Sequence, residues 1–243
     1  MEPPVFLIGT YHKTGTVWMR DSAIAAAQAL DWPLFEGADG FNGPGIYFDD
    51  HTAFPAPLLK AATGGFRLIR DPRDVVIAGE QVHRRGKEAW LLEPQDRYGG
   101  RSYRDALLAT GSPHDALVFE MDGAAGDTIR AMVSHSDTAP LARARYETLA
   151  DDASGVETRA LLAAAGLIGS SLDAFLEAIA AHAPYAGGRV SLNQVRSGHI
   201  ALWQGVFDQA LGRAFQARFP DALERLGYEH DTAWLTHLPV DVL

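Results

Sequence analysis

Short apolar runs alternate with longer polar or amphipathic stretches along most of this chain. Val5-Phe6-Leu7-Ile8 is unbroken and apolar, as expected of a parallel strand covered on both faces. Gly9 to Gly15 is a polar loop, and Thr16 to Leu30, rich in Ala, predicts a helix. Residues 31–50 carry Gly37, Gly40, Gly43, Pro44 and Gly45 and read as irregular; Pro55 and Pro57 precede a helical turn at Leu58-Leu59. Gly64-Gly65 breaks the chain before Phe66–Ile69, a second strand. Helices are expected from Asp74 to about Gly86, Tyr103 to Ala109 and Asp127 to Ser134, with strands at Ala116–Phe119 and Ala142–Tyr146. Ser154 is expected to cap a helix ending at Gly166, and Ser170 with Asp173 forms a capping-box pattern for a helix to His182. Residues 184–202 read as loop, after which Asp208 to Phe219 and Asp221 to Leu226 close the chain helically. Strands alternating with helices imply a three-layer α/β/α architecture around a central parallel sheet of four to five strands. With no internal repeat or linker, residues 1–243 are expected to form a single domain.

Composition narrows the function classes. The 243 residues carry 31 Asp plus Glu against 21 Lys plus Arg, a net charge of −10, which argues against a long nucleic-acid footprint. The absence of Cys removes disulfides, thiolate metal sites and a Cys nucleophile. No segment approaches the roughly 18 apolar residues of a membrane span. The Met-Glu-Pro-Pro start lacks the basic, then apolar, pattern of a secretory signal, so a soluble cytoplasmic protein with no membrane partner is expected.

The most informative stretch runs from Val5 to Trp18. A buried strand, a loop holding Lys13, Thr14, Gly15 and Thr16, and then a helix make an anion site: free amides and the helix dipole face the loop, and Lys13 adds a point charge. A nucleotide phosphate is the natural guest. The P-loop pattern G-x-x-x-x-G-K-[ST] places Lys after its second Gly, whereas Lys13 precedes Gly15, so this is not a Walker A loop. Taken alone, the pattern also allows a structural turn or an unrelated phosphate site.

Thr10-Tyr11-His12-Lys13-Thr14-Gly15-Thr16-Val17-Trp18 closely resembles the 5′-phosphosulfate loop T-Y-P-K-S-G-T-T-W of sulfotransferases, which use 3′-phosphoadenosine 5′-phosphosulfate (PAPS). Three further stretches match in order. Arg70-Asp-Pro-Arg-Asp-Val-Val-Ile-Ala78 resembles the 3′-phosphate segment R-[ND]-x-[KR]-D-V-x-x-S. Arg145-Tyr146-Glu147-Thr-Leu149 resembles R-Y-E-D-L, and Arg196-Ser197-Gly198, with Trp203 seven residues after the Arg, resembles R-K-G-x-x-G-D-W. The resemblance implies a P-loop-like sulfotransferase fold. It implies that Lys13 contacts the 5′-phosphate and the bridging oxygen, while Thr14, Gly15, Thr16 and neighbouring amides, including those of His12 and Val17, cradle the phosphate. It also implies that Trp18 and Tyr146 meet the adenine, and that Arg70 and Arg196 grip the 3′-phosphate with bidentate forks. Ala78 and Ser197 depart from the family's Ser and Lys, removing a hydroxyl and a charge from that grip.

Sulfuryl transfer to a small-molecule hydroxyl or amine needs an aligned acceptor, a stabilised leaving phosphate and a base, but not a metal. The sequence holds no H-E-x-x-H or EF-hand pattern. Asp50-His51-Thr-Ala-Phe54-Pro55 loosely resembles the K-T-H-L-P block that carries the family's catalytic His, which makes His51 the candidate base; the residues alone equally allow a surface loop histidine. Phe41, Phe48, Phe54 and Trp90 could line an acceptor pocket or simply be core. Two rivals stay open: a nucleotide kinase or NTPase on a related fold, and a binding protein that kept the fold without turnover. The chain is expected to be a monomer or homodimer.

Overall fold

The computed structural model describes residues 3–37, 39–135, 141–184 and 200–240. The chain opens with β1 (Val5–Gly9), α1 (Thr16–Leu30), β2 (Leu34–Glu36), β3 (Gly45–Asp49), α2 (Ala56–Ala61) and β4 (Gly64–Ile69). A helical run follows: α3 (Pro72–His83), α4 (Ala89–Leu92), α5 (Tyr103–Leu108), α6 (Pro113–Asp122) and α7 (Ala124–Ser134). Then come β5 (Ala142–Arg145), α8 (Tyr146–Ala150), α9 (Val156–Ala164), α10 (Gly169–Ala181), α11 (Gln209–Arg218) and α12 (Ala222–Leu226). The contacts gather into two compact units, residues 1–70 with 137–191, and residues 71–136 with 192–243.

The first unit holds a five-stranded parallel sheet in the order β2-β3-β1-β4-β5. β1 lies at its centre and every residue of it is buried, as an unbroken apolar run requires. Side chains alternate between faces. Phe6, Ile8, Ile46, Phe48, Phe66 and Leu68 pack under α1 and α10, while Val5, Leu7 and Tyr47 meet Leu58 of α2 on the other face. Ala23, Ala26 and Ala27 are small, which lets α10 come close with Phe175 and Ile179. Phe175 stands 5.3 Å from Phe6, ring centre to ring centre.

The architecture of strands and helices matches expectation, and three local readings are corrected. Ala116–Phe119 is helical, inside α6: the Ser112 hydroxyl accepts the Asp115 N–H and Pro113 opens the helix, while Ala116, Leu117, Glu120 and Met121 share the buried face. Four apolar residues cannot by themselves be told from a strand, and the cap decides. Residues 31–50 contain β2 and β3, which the surrounding Gly and Pro disguise. Of the two expected serine caps, Ser154 accepts the Val156 N–H at 3.3 Å, although Gly155 holds the N-cap position of α9 and Asp152 accepts both the Val156 and Thr158 N–H groups. Ser170 already lies inside α10, which opens at Gly169 after Ile168 without a side-chain cap.

The second unit is helical, and its centre is a buried arginine. Arg73, in the first turn of α3, binds Asp71 through two nitrogens at 2.8 and 3.0 Å and Glu229 at 2.7 Å, with its guanidinium 3.5 Å from the Trp203 ring centre and 4.9 Å from that of Trp234. Burial opposes its charge, but Asp71 and Glu229 outweigh that and raise its pKa. Asp74 accepts the backbone N–H groups of Ala201 and Trp203. Elsewhere in the unit His83 and Glu120, both fully buried, pair at 2.8 Å beneath the rings of Trp90 and Tyr103.

Candidate functional site

In the parallel sheet of the first unit, β1, β3, β4 and β5 end on the same side, and the candidate residues of that unit follow these strand ends. The loop after β1 folds on its own threonines. Thr14 donates its hydroxyl to the Tyr11 carbonyl at 2.9 Å and accepts the Tyr11 N–H at 2.9 Å; Thr16 also donates to that carbonyl, and its hydroxyl lies 3.0 Å from that of Thr10. These bonds explain why Thr10, Tyr11 and Thr14 are buried while His12, Lys13 and Thr16 are only half-buried. Lys13 has φ 65° and Gly15 φ 108°. A left-handed lysine is uncommon and strained, and such strain gathers at ligand-binding loops.

Gly15 is the N-cap of the 15-residue α1 and supplies no side chain to its first turn, which contains no acidic residue. The helix therefore presents its N-terminal dipole and first-turn amides to the loop with no competing carboxylate there. The missing Cβ matters as well. One built on Gly15 would sit 3.0 Å from both Leu68 and Tyr146, so the loop lies directly on the ends of β4 and α8.

Arg70, just beyond β4, donates to the Lys13 carbonyl at 3.1 Å, and its guanidinium lies 4.8 Å from the Tyr146 ring centre. Trp18 stands edge-on to the same ring at 5.8 Å, and its indole N–H donates to the Ile179 carbonyl at 2.9 Å. Lys13, Gly15, Trp18, Arg70 and Tyr146, from three separate stretches of sequence, thus form one cluster. Trp18 is only 5% exposed and is held as a core residue, whereas Val17 is exposed.

His51 follows β3, the neighbour of β1. Its Nδ1 is 2.7 Å from Asp50 Oδ1, so the adjacent aspartate orients the ring, and the imidazole is well exposed. Asp49 closes the turn by accepting the N–H groups of His51 and Ala53 through one oxygen. Phe48 is core and Phe54 packs against Leu58's cluster, while Phe41 and Trp90 are exposed.

Ala78 is buried in α3, in the second unit. Arg196, Ser197 and Gly198 lie outside the described residues. Two side chains in the first unit were not assigned a role from the sequence: Thr52, whose backbone is strained, and Arg67, a buried cation in β4 that acts on the pKa of Tyr11. A lone Arg inside Phe66-Arg67-Leu68-Ile69 is the signal that could have singled out Arg67; no sequence signal marks the φ of Thr52. A groove of about 560 Å³ along β5 and α9 includes Arg145 but no residue of the Thr10–Gly15 loop. Among the described residues there is no cluster of three or more side chains suited to a metal ion, and no helix is long and apolar enough to cross a membrane.

No family model matches the chain, and no curated protein matches it either. Solved structures do. Mouse sulfotransferase SULT7A1 complexed with PAP matches with TM-score 0.55 at 15% identity, over 98% of this chain and 88% of that one. Retinol dehydratase in complex with androsterone and the inactive cofactor PAP matches with TM-score 0.53 at 13% identity, over 91% of this chain and 81% of that one. The parallel α/β fold of this chain is therefore the fold of these sulfotransferase structures.

Proposed function

We propose that the chain is a sulfotransferase that takes PAPS as donor and passes the sulfuryl group to a hydroxyl or amine of a small molecule by in-line displacement. The observation that carries this reading is the cluster at the strand ends: Arg70 bonded to the Lys13 carbonyl and lying over Tyr146, which in turn closes on Gly15. The likeness to PAP complexes supports it, since PAP is what PAPS becomes on losing its sulfuryl group.

The residues fit such a donor. Lys13 and Gly15 take positive φ in a loop that leads into the N-terminus of a 15-residue helix whose first turn carries no acid. The donor supplies a sulfuryl group on a phosphate leaving group. Lys13 neutralises the charge that gathers on the departing phosphate, and the amides of Gly15, Thr16 and Val17 hold that phosphate still, while the Thr14 N–H stays bonded to the Tyr11 carbonyl at 3.0 Å. His51 takes the acceptor's proton, with Asp50 fixing its ring. Arg70, Arg196, Ser197 and Gly198 serve the 3′-phosphate on the strength of the motif alone, as His12, Trp18, Ala78 and Tyr146 serve the nucleotide. No step calls for a metal. A soluble, cytoplasmic, single-domain monomer or homodimer acting on a small acceptor, with no nucleic-acid or membrane partner, completes the reading.

Calorimetry with 3′,5′-diphosphoadenosine tests it. Saturable binding that Lys13→Ala weakens, with sulfate transfer from PAPS to a member of a phenol, alcohol and amine panel, is the expected result. No binding, or binding indifferent to Lys13→Ala, overturns the donor assignment; full turnover by His51→Ala removes His51 from the mechanism.

A further inference from the structure

The turn between β3 and α2 holds a residue in an unfavourable backbone conformation. Thr52 has φ 55°, in the left-handed region where a β-branched side chain is a genuine outlier. Glycine or asparagine would adopt it at less cost, so the compensation must come from what the threonine side chain touches. It is buried, and its hydroxyl donates to the Thr10 carbonyl at 2.8 Å. The same side chain covers Gly9: a Cβ there would stand 2.6 Å from Thr52 Oγ1 and 2.7 Å from Cγ2. Tyr11, fully buried, brings its phenol within hydrogen-bonding reach of the same hydroxyl. Thr52 therefore sits on three successive residues at the root of the phosphate loop. A backbone tie reinforces it, since the Thr10 N–H donates to the Asp49 carbonyl at 2.9 Å.

His51 is the residue before Thr52. Its ring is bonded to Asp50, within the same turn, so the place of the imidazole relative to Lys13 is set by where the turn is anchored. We infer that Thr52 is a positioning residue, a clamp that holds the His51 turn in register with the Thr10–Gly15 loop. The inference rests on the sulfotransferase reading, in which His51 accepts the proton and Lys13 steadies the leaving group. Strain in this turn is the counterpart of that fixed separation. A misplacement of about 1 Å in a catalytic arrangement can lower turnover by about 10²-fold.

Three variants separate the effects. Thr52→Ser keeps the hydroxyl, Thr52→Val keeps the shape without it, and Thr52→Gly removes both side chain and strain. The clamp predicts near-native kcat for Thr52→Ser. For Thr52→Val and Thr52→Gly it predicts a fall in kcat of about tenfold or more, with the donor KM nearly unchanged. The decisive case is Thr52→Gly, expected to unfold no more easily than the native protein while turning over slowly; a merely structural role would move stability and kcat together. If Thr52→Val does not fold, Thr52→Ser against Thr52→Gly makes the same comparison. A second readout does not need turnover: the His51 ring signals in NMR spectra of histidine-labelled protein should move in Thr52→Gly and stay in Thr52→Ser. If wild-type protein fails to bind 3′,5′-diphosphoadenosine, the sulfotransferase reading falls, and these ring signals still report whether the turn is anchored. If the nucleotide binds but kcat and the His51 signals of Thr52→Gly match wild type, the clamp is wrong and the reading stands.

Discussion

Arg70 and Arg73 stand three residues apart, one beyond the end of β4 and the other in the first turn of α3, and both are 2% exposed. Their surroundings differ. Arg73 meets two carboxylates and two indole faces, so its charge is neutralised where it stands. Arg70 donates to the backbone of the Thr10–Gly15 loop and lies over Tyr146, so it shapes a loop whose lysine is only half-buried. Neighbouring arginines of one motif thus divide the labour. One knits together the interior of its unit, and the other supports the surface on which chemistry is proposed.

The largest effect expected from this contrast is on stability. Arg73→Met leaves the carboxylates of Asp71 and Glu229 without their cation, and removing one partner of a buried pair costs about 3–5 kcal/mol. Urea titration checks this, and a loss below about 1 kcal/mol would erase the distinction between the two arginines. Lys13→Ala should do the reverse, lowering kcat by about 10²–10³-fold while the urea midpoint hardly moves. Were Lys13→Ala to unfold the protein instead, the loop would belong with the clamp as structure. Gly15→Ala lies between, because the new methyl meets Leu68 and Tyr146 and the φ of 108° disfavours any side chain. It should cost more than about 1 kcal/mol and weaken nucleotide binding as well, measured by unfolding and calorimetry on the same sample.

The smallest effect is a pH dependence that sharpens the structural side. Asp208 caps α11 by accepting the Leu211 N–H and pairs with His114 at 3.2 Å. Burial works against its charge, but the Leu211 N–H and His114 outweigh it and lower its pKa. A lowered carboxyl pKa gives stability that is present above the unfolded value of about 3.9 and lost as pH falls through the folded value. Asp208→Ala should therefore cost about 1 kcal/mol near neutrality and flatten the acid limb of the stability curve, with kcat untouched.

The sequence made some of this legible and hid the rest for identifiable reasons. The bounds of α1 are those expected, since Gly15 and the Ala-rich run after Thr16 leave little choice. The three motif stretches of the first unit follow β1, β4 and β5, and a parallel sheet brings the loops after its strands to one end. β2 was hidden by its length of three residues, and β3 by the Gly43-Pro44-Gly45 at its start. Trp18 shows another limit: its indole N–H is bonded to the Ile179 carbonyl 161 positions away, a partner that sequence does not reveal. Arg73 and Asp74 belonged to a recognised motif, but partners more than 120 positions away cannot be read from it.

That last separation bears on how the chain is made. Asp74 accepts N–H groups from Ala201 and Trp203, 127 and 129 positions later, and Arg73 waits for Glu229, 156 positions later. Domains tend to fold as their residues emerge from the ribosome, yet the start of α3 leaves long before its partners are synthesised. Until they arrive, the Arg73 guanidinium lacks the Glu229 carboxylate, and the two indoles that cover it do not exist. The second unit is therefore completed last, and the nascent chain carries an unfinished core through most of its synthesis. A stalled or shortened chain that never delivers Ala201 to Glu229 would expose this apolar and charged seam, the sort of surface that chaperones hold and proteases find.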